Sequence, residues 1–257
     1  MIINERMEIR SHQEIADRIF EMTLKGELVS FIQKPGQFVH VKVSDSYAPL
    51  LRRPISISHY SKEKGEMVLL YRSDGEGTAL LSKKQPGDSV QVLGPLGNGF
   101  NPDIAAKGKR VLLAGGGIGV PPLFGLAMEL NKRSIDTVSV LGFQNRDDVF
   151  YEDAFQKESR TIVATADGSY GTEGFITDAI NDYELDFDIL FACGPTPMLS
   201  ALKKQFSDKE VYLSLEERMG CGIGACFACV CHVPDSPSGY VKICSDGPVF
   251  KAEEVVI

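Results

Sequence analysis

Near its C-terminus the chain crowds Cys221, Cys226, Cys229 and Cys231 into eleven residues, and Cys244 follows. The spacing Cys221-x4-Cys226-x2-Cys229, then fourteen residues to Cys244, is the plant-type order for a [2Fe–2S] cluster. In that order a tight loop wraps the cluster and a distant fourth cysteine closes it. Soft thiolates suit this chemistry because they stabilise iron and share its delocalised charge. Gly220, Gly222, Gly224, Ala225 and Ala228 are small enough to let backbone N–H groups approach inorganic sulfides. Cys221, Cys226, Cys229 and Cys244 are therefore the candidate metal ligands. A structural zinc site competes, but zinc usually takes two Cys-x2-Cys-like pairs separated by a longer arm. The spacing favours the cluster. Cys231 is left over and reads as a buried, unligated cysteine.

Two further patterns suit phosphates. Leu112-Leu113-Ala114 runs into Gly115-Gly116-Gly117-Ile118-Gly119, then Val120-Pro121-Pro122 and a helical pattern. A strand-to-helix glycine turn lets a pyrophosphate reach backbone N–H groups at a helix N-terminus, where the dipole favours anions. Val120 stands where G-x-G-x-x-G has its third glycine, so taken alone the turn fits a ligand-free β–α connection equally well. Cys193-Gly194-Pro195 closes a later strand on the sheet edge where such folds bind ligands. Upstream, Arg52 and Arg53 precede the alternating run Pro54-Ile55-Ser56-Ile57-Ser58. Arginine clamps a phosphate through two parallel charge-assisted bonds. Gly77-Thr78 precedes Ala79-Leu80-Leu81, so Thr78 is expected to cap a short helix facing an anion. A solvated arginine pair and an ordinary cap explain this segment as well.

The elements that must hold these residues fall into three zones. From about Ile15 to Asn98, short β runs such as Gln37–Val43, Ile55–Ser58 and Met67–Tyr71 are broken by Pro35-Gly36 and Pro86-Gly87, the pattern of an antiparallel barrel. In the first of them Val39, Val41 and Val43 should share one face. From Lys109 strands alternate with helices: strands at 110–114, 137–143, 161–164, 188–192 and 210–215, helices at 120–132, 151–156, 174–183 and 197–206. That order calls for a doubly wound parallel sheet. After Glu216 the pattern is lost, and about forty residues are too few to bury a core of their own. The expected domains are 1–98, 99–216 and 217–257, a multi-domain β plus α/β fold with a cysteine-rich tail.

Composition excludes several classes. With 27 basic and 35 acidic residues the net charge is −8, which disfavours nucleic acid and anionic lipid as partners. Val111–Met128 has no charge over eighteen residues, enough in length for a membrane span, but five glycines and a Pro-Pro pair argue for strand, turn and helix instead. Met1–Asp17 carries charges throughout and lacks the apolar core of a secretory signal. The expectation is a cytoplasmic protein whose cysteines serve metal or redox chemistry rather than disulfides. His12, His40, His59 and His232 are scattered, and no Ser/His/Asp or paired-carboxylate site stands out.

In combination these motifs resemble the ferredoxin-reductase superfamily of flavoproteins. More narrowly, the chain is similar along its whole length to the electron-transfer subunits of two-subunit, NAD-linked dihydroorotate dehydrogenases. The short gap before Cys244 is the sharpest marker, because a complete plant-type ferredoxin domain needs a far longer one. Arg53–Ser56 matches the family's flavin strand and Gly115–Gly119 its nucleotide turn. The resemblance implies that Arg53, Pro54, Ile55, Ser56, Leu70, Tyr71, Arg72, Gly77 and Thr78 contact FAD, with Tyr71 placed to stack on the flavin ring. It implies that Gly115, Gly116, Gly117, Gly119, Cys193, Gly194 and Pro195 line NAD, and that the four cysteines ligate [2Fe–2S]. Its partner would be an FMN-containing dihydroorotate dehydrogenase subunit in a heterotetramer of two plus two. An apolar surface around Ile223 and Phe227 is expected to meet that partner. Two alternatives stay open: the same build serving a hydrogenase- or ferredoxin-linked complex, and a zinc-stapled binding module without enzymatic function.

Overall fold

A computed structural model describes residues 1–234, 236 and 238–257. The N-terminal part is a closed antiparallel barrel of six strands in the order β1-β2-β5-β4-β3-β6. The strands are β1 (Ile3–Ala16), β2 (Ile19–Lys25), β3 (Phe38–Lys42), β4 (Arg53–Ser61), β5 (Glu66–Arg72) and β6 (Ser89–Leu96), with helix α1 (Glu76–Leu81) between β5 and β6. The barrel begins earlier than the sequence suggests. Glu5, Arg6, Glu8 and Arg10 disguise β1, yet they alternate with Met7 and Ile9, which are fully buried in the barrel core. A half-buried strand needs only every second residue apolar.

The second part is a seven-stranded sheet in the order β10-β9-β8-β7-β11-β12-β15. Its parallel strands are β7 (Arg110–Gly116), β8 (Asp136–Phe143), β9 (Arg160–Thr165), β10 (Thr172–Glu173), β11 (Ile189–Cys193) and β12 (Glu210–Ser214). Helices α2 (Val120–Lys132), α3 (Glu152–Gln156), α4 (Ile176–Asp182) and α5 (Thr196–Gln205) connect them. The chain winds outward from β7 in one direction and then resumes at β11 on its other side. The switch point therefore lies between β7 and β11, where Cys193 is in register with Gly115. Among the described residues no helix is long and apolar enough to cross a membrane.

The tail contributes a small hairpin, β13 (Val230–His232) with β14 (Tyr240–Lys242), and then β15 (Val249–Lys251), which pairs antiparallel with β12. As its length requires, it has no separate core. Cys229, Ile243, Cys244 and Phe250 pack into one apolar cluster with Phe38 and Leu96 of the barrel and Leu213 and Leu215 at the end of β12. Asn98 ties the interdomain linker to the same tail, its Nδ2 donating to the carbonyls of Ser245 and Asp246 at 3.2 and 2.7 Å. Helix α2 seats the sheet on the barrel. A Cβ on Gly125 would stand 2.5 Å from the Ser58 carbonyl oxygen of β4, so this glycine permits the close approach.

Candidate functional site

Arg53 at the start of β4 and the first turn of α1, separated by some twenty residues in sequence, meet in space. The Arg53 guanidinium lies over the backbone of Gly77: a Cβ there would be 2.5 Å from Arg53 Nε. Its Nη1 donates to the Leu51 carbonyl at 2.6 Å, leaving the rest of the fork for an anion. Arg52 does not share this role. Its Nη1 donates to the Gln91 carbonyl at 3.0 Å and its Nη2 to Gln91 Oε1 at 2.9 Å and Asn4 Oδ1 at 3.3 Å, bracing the barrel wall. Thr78 is not the helix cap. Gly75 is, and Thr78 sits in the first turn with its hydroxyl 3.1 Å from both the N–H and the carbonyl of Gly75.

Alternation along β4 separates the remaining residues. Ile55 belongs to the barrel core, whereas Pro54 is exposed and Ser56 half-buried on the outer face. Leu70 on β5 joins the core beneath the sheet. Tyr71 corrects an expectation. It is 3% exposed, its ring stacks on Phe20 at 5.7 Å, and its hydroxyl pairs with His12 Nε2 at 2.8 Å. Burial pushes its pKa well above the ordinary tyrosine value. A ring committed to the barrel interior cannot stack on a flavin outside it. Arg72 points the other way and comes within 3.9 Å of where a Cβ on Gly117 would be, bridging the barrel to the glycine turn.

At the switch point the two nucleotide motifs interlock. β7 ends at Gly116, a single 3-10 turn covers Gly117–Gly119, and α2 starts at Val120 with Pro121 and Pro122 in its first turn. Gly117 has a φ of +52°, which glycine adopts without penalty. A Cβ on Gly119 would stand 2.3 Å from the Cys193 carbonyl oxygen, and one on Gly116 would strike Met198 Sδ at 2.5 Å. Gly115, Gly116, Gly117, Gly119, Gly194 and Pro195 thus bring backbone close to backbone at one junction. Cys193 offers it only backbone, because its thiol is buried in the core and burial raises its pKa far above the ordinary thiol value.

The cysteine loop lies against β3 of the barrel, where Gly222 meets His40. Cys221 and Cys226 are half-buried. Cys229 and Cys244 are buried. Backbone donors converge on the cysteines: the N–H groups of Ile223 and Cys226 reach Cys221 Sγ at 3.5 and 3.4 Å, and that of Gly224 reaches Cys244 Sγ at 3.2 Å. Burial works against a Cys221 thiolate, but these donors outweigh it and bring its pKa down to about 6. Burial raises Cys244 to about 12, helped by neighbouring Cys229; metal binding would remove that proton. Cys231 turns to the C-terminal segment, its Sγ 3.3 Å from the Val256 carbonyl.

Sequence reasoning passed over His40. Val39 and Val41 face the barrel core as expected, but the opposite face of β3 is buried too, with Phe38 and His40 turned toward the cysteine tail. A Cβ on Gly222, whose φ is +72°, would be 2.7 Å from His40 Cε1 and 2.9 Å from each ring nitrogen. The side chain is fully buried, and neither nitrogen has a hydrogen-bond partner among the described residues. Such an orphan costs about 1–3 kcal/mol. Burial, then the Arg52 charge, lowers its pKa to about 4. The only signal in the sequence is a histidine in an otherwise apolar strand beside a glycine-rich loop far away.

Around the loop, Ile223 (50%) and Phe227 (62%) are exposed, together with Met1, Ile2 and Tyr240. Lys242 Nζ lies 4.6 Å from the Phe227 ring centroid and donates to the Gly224 carbonyl at 2.6 Å. A cavity of about 260 Å³ opens between Met1, Ile2 and Phe31 on one side and Gly222, Ile223 and Cys244 on the other.

Comparison with known proteins accords with this geometry. Residues 216–256 match the family model for the iron–sulfur cluster binding domain of dihydroorotate dehydrogenase B, and residues 6–100 that for an oxidoreductase FAD-binding domain. Over 257 residues, all of both chains, the protein is 59% identical to the dihydroorotate dehydrogenase B (NAD(+)) electron transfer subunit of Bacillus caldolyticus. It is 58% identical to that of Bacillus pumilus over 96% of each chain. Among solved structures, one described as NADH-dependent reduced ferredoxin-NADP oxidoreductase matches with a TM-score of 0.86 at 31% identity, covering 97% of this chain and 89% of that one.

Proposed function

Because the chain belongs to the family of electron transfer subunits of dihydroorotate dehydrogenase B (NAD(+)), we propose that it carries electrons from a partner's FMN to NAD⁺ through [2Fe–2S] and FAD. The FMN subunit would oxidise dihydroorotate to orotate in pyrimidine biosynthesis. Nicotinamides exchange electrons as a hydride and iron–sulfur clusters one at a time, and a flavin between them handles both.

The residues have separate tasks. Arg53, Gly77 and the first turn of α1 at Thr78 hold the flavin's phosphates, while Pro54, Ser56 and the backbone of Ile55, Leu70 and Tyr71 line its ring. Gly115–Gly119 and Gly194-Pro195 take the nicotinamide nucleotide's pyrophosphate, and Arg72 spans the two sites. Cys221, Cys226, Cys229 and Cys244 would hold the cluster through their thiolates. No general acid or base is needed, and the chain's contribution is position, since a near-attack geometry is worth several kcal/mol. Domain limits of 1–98, 99–216 and 217–257 assign one cofactor to each part. The cytoplasm is the proposed location, and two of these chains with two FMN subunits the proposed assembly.

The observation that supports this reading is the convergence of loop N–H groups on the sulfurs of Cys221 and Cys244, with Cys229 and Cys244 sunk into a core shared with the barrel. The test is to express the chain alone and with an FMN subunit. Alone it should reduce artificial dyes with NADH and leave dihydroorotate untouched. Together they should couple dihydroorotate to NAD⁺ and run as a heterotetramer in light scattering. Dihydroorotate-dependent NAD⁺ reduction by the isolated chain would overturn the division of labour. The likeness to the ferredoxin-linked structure supports a second reading, which wins if the chain ignores the FMN subunit and reduces a ferredoxin.

A further inference from the structure

We propose that His40 is a positioning residue for the cluster, its ring N–H donating a hydrogen bond to a cluster sulfur and thereby setting the potential at which the cluster takes its electron. This rests on the reading that Cys221, Cys226, Cys229 and Cys244 hold [2Fe–2S]. In either charge state an imidazole carries at least one N–H, and here that group is sealed from water with no carbonyl or carboxylate within reach among the described residues. Buried donors in folded proteins find acceptors. The ring edge carrying both nitrogens lies against Gly222, inside the loop between Cys221 and Cys226. Cluster sulfurs are acceptors, and hydrogen bonds to them are a known determinant of potential.

The backbone holds the ring in place. His40 is paired in register with Pro54 on the flavin strand, and Arg52 Nη1 reaches the His40 carbonyl at 3.4 Å. The strand that carries this donor is therefore fixed to the strand assigned to the flavin. Reduction adds one negative charge to the cluster, and a donor aimed at sulfur stabilises that form more than the oxidised one. Removing it must make the cluster harder to reduce.

The experiment uses the full chain with FAD and the cluster loaded. Iron and sulfide analysis of the wild type comes first, and absence of both would overturn the cluster reading and this proposal with it. EPR-monitored redox titrations then compare wild type, His40→Leu and His40→Asn. At a fixed potential, His40→Leu should lower the reduced-to-oxidised ratio of the cluster about tenfold, a shift of about 59 mV for one electron. His40→Asn keeps an N–H near the place of Nδ1 and should stay within about threefold of wild type. The flavin's titration should not move. In wild-type protein made with ¹⁵N-histidine, the electron spin echo of the reduced cluster should carry a weak nitrogen coupling. An unchanged potential in a fully loaded His40→Leu protein, or a shift confined to the flavin, refutes the assignment. If His40→Leu loses the cluster, the labelled wild type decides, and absence of the coupling refutes it.

Discussion

Gly125→Ala sets two physical effects against each other and ties both to function. Gly125 lies inside α2, where alanine is favoured over glycine by about 1 kcal/mol. Helix propensity alone therefore predicts a more stable protein. The contact predicts the reverse, because the new Cβ would be 2.5 Å from the Ser58 carbonyl oxygen, and ordinary contact begins at 3.4 Å. Helix and barrel must separate by about 0.9 Å, and a strand carbonyl cannot swing aside as a flexible side chain would. Overpacking of this kind costs about 1–3 kcal/mol. With rigid backbone on both sides the upper half applies, leaving a net loss of about 1–2 kcal/mol after the helix gain. The same displacement separates β4, proposed to line the flavin, from the glycine turn, and a misplacement of about 1 Å can cost on the order of 100-fold in rate. Urea denaturation should show a lower midpoint, and NADH-driven dye reduction should fall between about tenfold and 100-fold. A variant that is more stable and equally active would show that α2 does not set the interdomain spacing.

Serine at Cys221, Cys226, Cys229 or Cys244 should abolish or reshape the reduced-state EPR signal, whereas Cys231→Ser should leave it nearly intact; the reverse pattern at 229 and 231 would undo the ligand assignment. Gly222→Ala should cost the cluster loop more than Gly87→Ala costs its own turn. Both have positive φ, but only the Gly222 Cβ meets a buried ring while that of Gly87 meets nothing within 4 Å, so iron content after mild chelation should fall in the first variant alone. NADH should be preferred over NADPH by about tenfold or more in kcat/KM, a difference of about 1.4 kcal/mol, because Asp147, Asp148 and Asp167 on the loops after β8 and β9 outnumber the opposing charge of Arg146, and equal turnover would remove the preference. His59 is packed edge-on against Phe124, and burial lowers its pKa. The unfolded chain then binds the extra proton first, so stability is full above the ordinary histidine range and declines as pH falls through it. His59→Gln should flatten that decline in acid-denaturation curves.

Much of this was legible because local chemistry and long-range structure agree. The alternation of Val39 and Val41, the apolar run of β7 and the Gly-Pro-rich start of α2 each carry their period on the surface of the sequence. The α2 limits Val120–Lys132 and the parallel order of the second sheet follow from it. What stayed hidden depends on neighbours that no window contains. Strand β1 looks too charged to be structural until β2 and β6 bury its alternate residues. Tyr71 looks like a stacking surface until Phe20 and His12 are seen to claim its ring. Thr78 passes for a cap because its type is right and its position is three residues late. Arg52 and Arg53 are indistinguishable as letters, yet β-strand geometry sends one into the barrel wall and the other to the helix start.

The tail shows how a segment too short to fold alone can still be held rigid. Cys229 and Cys244 are packed beside Phe38, Leu96 and Leu213, so any motion of the inner sulfur pair must disturb both larger domains. The outer pair, Cys221 and Cys226, has no such anchorage and is fixed by backbone N–H groups and by the contact of Gly222 with His40. This asymmetry suits an electron carrier. Cys229 and Cys244 lie in the core shared with the barrel, and Cys221 and Cys226 lie beside the exposed Ile223 and Phe227, where another protein must approach. One consequence is measurable by hydrogen exchange. Amides of Ile243 and Cys244 should exchange as slowly as those of β3, because their opening would require breaking the shared core. Amides of Ile223 and Gly224 should exchange faster in the isolated chain and slow down when the FMN subunit binds. Equal protection of both segments in the free chain would mean that the loop, too, is locked by the core, and that the partner meets a surface already formed.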